Sequence, residues 1–181
     1  MSKIGRSPIK LAGATVSHDG LIVKIKGPKA EFEHELPVGF SVELEDGFVN
    51  VLMGDSADAK QGKALWGLHR ALLANKVTGS EIGFTRSLKI VGLGFKAIKQ
   101  GADELVFSLG FSHKVNFKMP KSVTVEIDKT GQNLTFASVS KFELGNVTSS
   151  IRALKKPEPY KGTGIMYTDE IIHRKAGKSK S

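Results

Sequence analysis

Apolar and polar residues alternate along the first part of the chain. Leu21, Val23 and Ile25 keep a two-residue period, and the segments 42–45 and 49–51 continue it. Successive side chains of a β-strand point to opposite faces of its sheet, so this period is typical of strands with one buried face. The pattern predicts that strands dominate this part of the chain.

The period lengthens to three or four residues in two later segments. From about Asp58 to Asn75 the apolar positions are Ala64, Leu65, Leu68, Ala71 and Leu72. In the second segment they are Leu144, Val147, Ile151 and Leu154. This spacing indicates amphipathic helices that each pack one face on a sheet. The second helix must end before Pro157, because proline disfavours helical geometry in the residue that precedes it.

The chain resembles itself after a shift of 83 residues, in pattern more than in identity. Residues 21–44 then lie over residues 104–127, with Pro37 on Pro120. Each copy reads as strands followed by one helix. The sequence therefore predicts an α+β fold of two tandem, duplicated small domains, each an antiparallel sheet packed against one helix.

Glycine, serine and threonine interrupt the pattern at residues 77–87, which predicts a first domain at 1–82 and a second at 83–181. Residues 1–85 carry ten Lys and Arg against ten Asp and Glu, whereas residues 86–181 carry seventeen against eight. The entire net charge of +9 thus lies in the second part. Such asymmetry is typical of a protein that binds a polyanion such as nucleic acid. A basic surface that only aids solubility is the alternative.

Several classes of protein are disfavoured by what the sequence lacks. It contains no cysteine, which excludes disulfides and thiolate chemistry, and its five histidines are scattered. It has no nucleophile elbow, no P-loop and no H-E-x-x-H metal motif. No apolar run approaches the roughly 18 residues of a membrane span, and the amino terminus lacks a secretory signal. We therefore expect no catalysis, no cofactor, no metal and no membrane segment, and a cytoplasmic location.

The segment GLGFKA, Gly92–Ala97, matches the letters of a dinucleotide fingerprint. Such a site needs a helix directly after the glycines and an acidic residue about twenty positions later, where this chain has His113. A small nucleotide-binding enzyme is therefore an unfavoured alternative. The sequence instead predicts a hairpin whose glycines allow close approach to a neighbouring backbone or to RNA. Lys89, Lys96 and Lys99 would face either a phosphate backbone or solvent.

Two prolines and two glycines frame a basic segment, KKPEPYKGTGI, at residues 155–165. The prolines exclude a helix and the glycines disfavour a buried strand, so the segment is predicted to be an exposed, stiffened loop. Tyr160 lies beside a lysine, where it can stack on a base or form a hydrogen bond. The last nine residues, HRKAGKSKS, are basic and almost without apolar residues, and we expect them to be disordered until they meet a partner.

Five stretches resemble one known family, and they occur in the family's order over essentially the whole chain. They are MSKIGRSPIK, GPKAEFEHELP, RALLANKVTG, VGLGFKA and KKPEPYKGTGI. The chain resembles the bacterial-type family of the sixth large-subunit ribosomal protein, and residues 157–165 are its most specific element. Thr163 stands where the family usually has lysine, which puts one phosphate contact in doubt. Ala30 and His34 stand where glycine and serine are more usual.

The resemblance implies two similar α+β domains that arose by duplication. It implies that the second domain binds large-subunit ribosomal RNA near the sarcin–ricin loop and the base of the factor-binding stalk, without a catalytic role. The first domain would face neighbouring ribosomal proteins or solvent, and no homo-oligomer is expected. The location would be the cytoplasmic ribosome, or an organellar matrix if the sequence is a mature form. A general RNA-binding or RNA-chaperone protein outside the ribosome is the alternative.

Position by position, the resemblance places RNA contacts in the loop and the tail. These residues are Lys155, Lys156, Pro157, Tyr160, Lys161, Gly162, Gly164, Arg174 and Lys175. Weaker candidates lie in the glycine-rich segment, namely Gly92, Gly94, Phe95 and Lys96.

Overall fold

The computed structural model describes residues 3–45, 47–54, 61–101 and 103–177. Contacts between residues divide the chain into two units, Met1–Gly83 and Phe84–Ser181. Each unit has its own hydrophobic core.

The described part of the first unit contains two helices and six strands. In chain order these are α1 (Lys3–Arg6), β1 (Ile9–Lys10), β2 (Thr15–Asp19), β3 (Ile22–Lys26), β4 (Glu31–Glu35), β5 (Phe40–Glu45), β6 (Phe48–Met53) and α2 (Gly62–Glu81). The strands form two antiparallel sheets, one in the order β1-β6-β5 and the other in the order β2-β3-β4. Val23 and Ile25 of β3, Val49 of β6 and Leu73 of α2 are buried in the core between these elements.

The described part of the second unit repeats this arrangement and extends it. Its elements are β7 (Phe84–Val91), β8 (Lys96–Gln100), β9 (Glu104–Ser108), β10 (Val115–Lys118), β11 (Val123–Ile127), β12 (Asn133–Ser138), α3 (Lys141–Leu154) and β13 (Gly164–Tyr167). One antiparallel sheet has the order β10-β9-β8 and the other the order β11-β12-β7-β13. Leu88, Phe107, Phe136 and Ile151 are fully buried between these sheets and α3.

The sheets of the two units correspond strand for strand. The order β5-β6-β1 of the first unit matches β11-β12-β7 of the second, and β4-β3-β2 matches β10-β9-β8. The prediction of an α+β chain built from two duplicated domains is thereby confirmed. Each copy holds a second small sheet besides the one predicted, and the second copy adds β13 beyond β7.

The predicted bounds and buried face of the first helix are partly wrong. The helix α2 continues to Glu81, through the first five of the eleven residues assigned to the join, while residues 58–60 lie outside the described residues. Leu68 and Leu72, predicted to pack on the sheet, are 51% and 39% exposed. The buried face instead passes through Leu73 and Val77.

The buried face of α2 is difficult to recognise from the hydrophobic pattern because it includes a polar residue, His69, which contacts a second histidine. His69 of α2 lies on the packed side, where its Nδ1 is 3.0 Å from Nε2 of the buried His34 in β4. The Nζ atom of Lys76 lies 3.2 Å from Nδ1 of the same His34. A histidine at a core-facing position interrupts the apolar spacing from which the helix face is read, and the three nitrogen-bearing side chains satisfy one another.

The carboxyl end of α2 is fixed by Glu81. Its Oε1 atom accepts hydrogen bonds from the backbone N–H groups of Ala12, Gly13 and Ala14 at 2.7, 2.9 and 2.9 Å. Burial alone would raise the pKa of this carboxyl, but the three N–H groups outweigh burial and lower the pKa. The turn between β1 and β2 is thus tied to the last turn of α2.

The predicted hairpin at the glycine-rich segment is also wrong. β7 pairs with β12 and β13, whereas β8 pairs with β9 in the other sheet. Residues 92–95 therefore form a turn that crosses between sheets. The glycines that suggested a hairpin permit this crossing, since Gly92 and Gly94 have φ values of +152° and +73°.

Candidate nucleic-acid interface

The predicted loop is a closed structure between α3 and β13. α3 ends at Leu154, before Pro157 as predicted. Glu158 then joins both sides of the loop: its N–H donates to the carbonyl of Thr163 at 3.0 Å, and its carbonyl accepts from the N–H of Gly162 at 3.0 Å. Its carboxylate accepts from the N–H of Lys161 at 2.5 Å. These bonds and the two prolines give the segment a fixed shape before any ligand arrives.

The prediction of an exposed loop up to residue 165 is wrong at its end. Gly164 and Ile165 are buried and begin β13, with Gly164 opposite Val91 and Ile165 opposite Ile90 of β7. Glycine is needed there because a Cβ at position 164 would lie 2.7 Å from the carbonyl oxygen of Lys156. The same closeness explains why the glycine does not prevent a strand: the backbone of the loop covers it.

Part of the tail is held against the loop, which corrects the expectation of disorder for these residues. The N–H of Lys175 donates to the carbonyl of Pro159 at 2.8 Å. The guanidinium of Arg174 lies beside Gly162, where a Cβ would be 3.2 Å from Nε. Residues 178–181 lie outside the described residues.

A partly buried ion pair connects Glu170, at the start of the tail, to α3. The Nε of Arg152 donates to Oε2 of Glu170 at 2.8 Å, and its Nη2 donates to Oε1. The hydrogen bonds from Arg152 lower the pKa of the Glu170 carboxyl, and the pKa of Arg152 is raised in return. Tyr167 lies beneath two guanidinium groups, with the Cζ of Arg86 4.2 Å and that of Arg152 5.8 Å from its ring centroid. Arg152 is therefore engaged in holding the fold.

In the glycine-rich turn, the side chain of Leu93 points to solvent and that of Phe95 points to the core. Leu93 is fully exposed, at 103%. The ring of Phe95 instead packs on the core, and a Cβ at either Gly92 or Gly110 would lie within 2.6 to 2.8 Å of it. Phe95 is consequently a support for the turn, while Gly94 lies in open space with nothing within 4 Å of a Cβ.

The loop, the tail and the glycine-rich turn come together at one end of the second unit. Val91, which precedes the turn, pairs with Gly164, the residue that directly follows the loop. The connection between β9 and β10 joins them, because Gly110 touches Phe95 and the Nζ of Lys155 lies 4.6 Å from the ring centroid of Phe111. We call residues 92–96, 110–114, 155–163 and 174–175 the loop end.

The loop end is strongly basic. Its cations are Lys96, Lys114, Lys155, Lys156, Lys161, Arg174 and Lys175, and its only acidic residue is Glu158. The carboxylate of Glu158 is occupied by the N–H of Lys161. The N–H groups of Lys161 and Gly162 are already used within the loop, and Gly162 and Gly164 are buried. The part of this surface that suits phosphate groups is therefore its set of lysine and arginine side chains.

Besides the exposed Lys114, sequence reasoning missed three exposed apolar or aromatic side chains of the loop end. They are Leu93, Phe111 and His113. Phe111 and His113 stack on each other, with ring centroids 5.9 Å apart and planes at 18°. The stretch GFSHK, residues 110–114, carried a usable signal, because it places an aromatic residue among a glycine and a lysine as Tyr160 is placed in the loop.

Other kinds of site are not found in the described part of the chain. No group of three or more histidine or acidic side chains there could hold a metal ion. Among the described helices, none combines the length and apolar character needed to cross a membrane.

Comparison with known proteins identifies the family of this chain. The profile of the family described as ribosomal protein L6 matches residues 12–80 and 91–168, one match in each unit. Proteins named large ribosomal subunit protein uL6 from Methylacidiphilum infernorum and an Anaeromyxobacter species are 43% and 44% identical over 180 residues, covering 99% of this chain and 98% of each relative. The protein of that name from Acidobacterium capsulatum is 37% identical over 182 residues, which cover 100% of this chain and 99% of the relative. Two matches in tandem and full-length identity at this level show that the chain belongs to the ribosomal protein L6 family.

Proposed function

We propose that this protein is a structural constituent of the large ribosomal subunit that binds ribosomal RNA through the loop end of its second unit. Membership of the ribosomal protein L6 family makes it a non-enzymatic component of the ribosome. The proposed neighbourhood is that of the sarcin–ricin loop and the base of the factor-binding stalk. The site of action is then the ribosome, in the cytoplasm of a bacterium.

The observation that carries the RNA-binding part is the convergence at the loop end. Nine of the thirteen candidate residues lie in or beside one closed loop, and the other four lie in or directly after the turn that follows Val91, the strand partner of Gly164. All of the net charge of +9 lies in residues 86–181, the part that holds this surface. Phosphate contacts by Lys and Arg release counterions and supply most of the affinity of such proteins.

The shape of the loop supports recognition of a folded RNA. Its internal hydrogen bonds fix the backbone that carries Lys155, Lys156 and Lys161 before binding, so little backbone conformational entropy is lost on docking. Cations on a fixed backbone match a fixed arrangement of phosphates, which a folded ribosomal RNA presents and an unstructured RNA does not.

The first unit is proposed to contact neighbouring ribosomal proteins or solvent. Residues 1–85 carry equal numbers of basic and acidic residues, which gives no net attraction to phosphate. Its helix α2 exposes Leu68 and Leu72, apolar side chains of the kind found at protein interfaces.

Sedimentation of a cell lysate through a sucrose gradient at low magnesium tests this proposal. The protein is detected in each fraction, and the large-subunit peak is then washed at high salt. Retention in that peak through the washes is the expected result. Recovery at the top of the gradient, or spread over all RNA, would instead support a general RNA-binding protein outside the ribosome.

A further inference from the structure

Two exposed rings of the loop end form a pair of their own. Phe111 is 43% exposed, and its ring lies within 5.9 Å of the exposed ring of His113 in a near-parallel stack. The other large aromatic residues of this unit's core, Phe107 and Phe136, are fully buried. Packing of the core therefore does not account for the position of Phe111.

The backbone of the β9–β10 connection turns these rings outward. β9 ends at Ser108, and Gly110 has a φ of +75°, a conformation that other residues rarely adopt. The space beneath Gly110 is filled by the ring of Phe95 from the glycine-rich turn. The chain thus changes direction at Gly110, where the ring of Phe95 packs beneath it, and Phe111 follows on the exposed side.

A cation lies next to the rings. The Nζ of Lys155 is 4.6 Å from the centroid of Phe111, within the range of a cation–π contact. Lys114 follows His113 directly in the chain. Flat apolar faces beside ammonium groups are the combination that a nucleotide requires, one part for the base and the other for its phosphate.

We propose that Phe111 and His113 form a stacking platform for one unpaired RNA base, with Lys155 contacting the phosphate of that nucleotide. This inference rests on the proposed function and specifies the kind of RNA segment that the loop end binds. A base within a regular duplex is stacked on both sides by its neighbours and offers no free face to a protein ring. The platform therefore assigns the loop end to an RNA segment that carries a bulged or looped-out nucleotide, not to a continuous helix.

Stacking and phosphate contacts differ in their response to salt, and binding of the full chain to large-subunit ribosomal RNA separates them. The affinity is measured over a range of salt concentrations for the wild type and for Phe111→Leu, His113→Ala and Lys155→Ala. The two ring variants should lose roughly 5- to 150-fold in affinity with an unchanged salt slope. Lys155→Ala should lower the slope by about 0.7 to 0.9.

Phe142→Leu is the matched control. Phe142 is 80% exposed on the first turn of α3, while the loop begins after the last turn of the same helix. Lys155 follows Phe142 by thirteen positions, which at about 1.5 Å per helical residue is a distance of about 20 Å along the helix. This variant should bind as the wild type does. Thermal unfolding of each variant establishes that it is folded, and His113→Ala tests the platform even if Phe111→Leu is unstable, because His113 is exposed.

Chemical probing of the bound RNA supplies a second readout. One base should be protected by the wild type and become reactive again with Phe111→Leu or His113→Ala, while protection of the surrounding backbone remains. Wild-type affinity and an unchanged protection pattern in both ring variants would overturn the platform. Failure of the wild-type chain to prefer large-subunit RNA over other RNA would overturn the proposed function itself. This outcome is measured on the wild type alone and is therefore distinct from any result obtained with the ring variants.

Discussion

The Cα of Gly164 faces the carbonyl oxygen of Lys156 so closely that a Cβ on Gly164 would lie 2.7 Å from it. The carbonyl of Lys155 is nearly as close, at 2.8 Å from the same position. This contact joins the first strand residue after the loop to the first residues of the loop. The geometry of the basic segment therefore depends on a position that carries no side chain.

Replacement of Gly164 by alanine should destabilise the second unit strongly. The added methyl group would collide with backbone atoms, and the φ of +143° is unfavourable for alanine. We expect a loss of about 3 kcal/mol or more in the free energy of unfolding, measured by urea denaturation. Gly94→Ala is the control, because Gly94 also has a positive φ, of +73°, but open space around it. It should cost only about 1 kcal/mol. Equal losses in the two variants would contradict the steric argument.

Removal of three loop lysines should change the salt dependence of RNA binding. In the variant Lys155→Ala, Lys156→Ala, Lys161→Ala the slope of log affinity against log salt should fall by roughly two to three units, at about 0.7 to 0.9 per phosphate contact. The matched control replaces Lys10, Lys24 and Lys63, exposed lysines of the first unit. An unchanged slope in the loop variant, or an equal change in the control, would remove the loop from the interface.

Tyr160 is expected to contribute through its ring. It is 56% exposed at the tip of the loop. Tyr160→Ala should weaken RNA binding by about 1 to 3 kcal/mol if the ring stacks on a base, and Tyr160→Phe should retain most of the affinity. A loss near zero in the alanine variant would mean that Tyr160 serves only the shape of the loop.

The loop should also depend on the burial of Ile165, the second residue of β13. Ile165 is fully buried, and Ile165→Ala should lower the free energy of unfolding by about 2 to 5 kcal/mol. Ile171→Ala is the comparison, because Ile171 is 83% exposed and should change stability by less than about 0.5 kcal/mol. Similar thermal unfolding curves for the two variants would show that β13 is not part of the core.

The first unit should lose stability on mild acidification. Burial, followed by the nearby Lys76 and His69, lowers the pKa of His34 to about 4 from the ordinary 6.5. Between these two values the unfolded chain binds a proton that the folded chain does not, so stability falls as the pH falls. The loss is at most about 1.4 kcal/mol per pH unit.

Urea denaturation at pH 7 and pH 5 measures this dependence. His34→Phe should reduce the difference between the two pH values, whereas His18→Asn, at an exposed position of β2, should leave it unchanged. A wild-type protein equally stable at both pH values would show that His34 does not remain neutral in the folded state.

The elements with regular periods were predictable from the sequence. Alternation in the first part, the spacing of Leu144, Val147 and Ile151, and the repeat after 83 residues led to the α+β duplicated fold. Local rules were also sufficient for the end of α3, because Pro157 acts on its immediate neighbours. These are features in which a few adjacent residues determine the backbone.

The missed features depend on contacts between distant segments. Gly164 is disfavoured in a strand by local rules, and only the covering carbonyl of Lys156 makes it necessary there. His69 is polar in a core-facing position because His34, thirty-five positions earlier, is its partner. The approach of Lys155 to Phe111 likewise joins the loop to the connection between β9 and β10, forty-four positions earlier in the chain. No period or motif within either segment encodes such a contact.

The strand β13 has a consequence beyond the placement of the loop. In the first unit the corresponding edge of the sheet is β1, which has only two residues, whereas β7 has eight. A second unit that ended after α3 would leave the outer N–H and C=O groups of β7 unpaired, a template on which another chain could add a strand. With β13 in place, Gly164 to Tyr167 occupy four of those positions. The segment that carries the basic loop thereby also shields newly made protein from edge-to-edge aggregation before it is assembled.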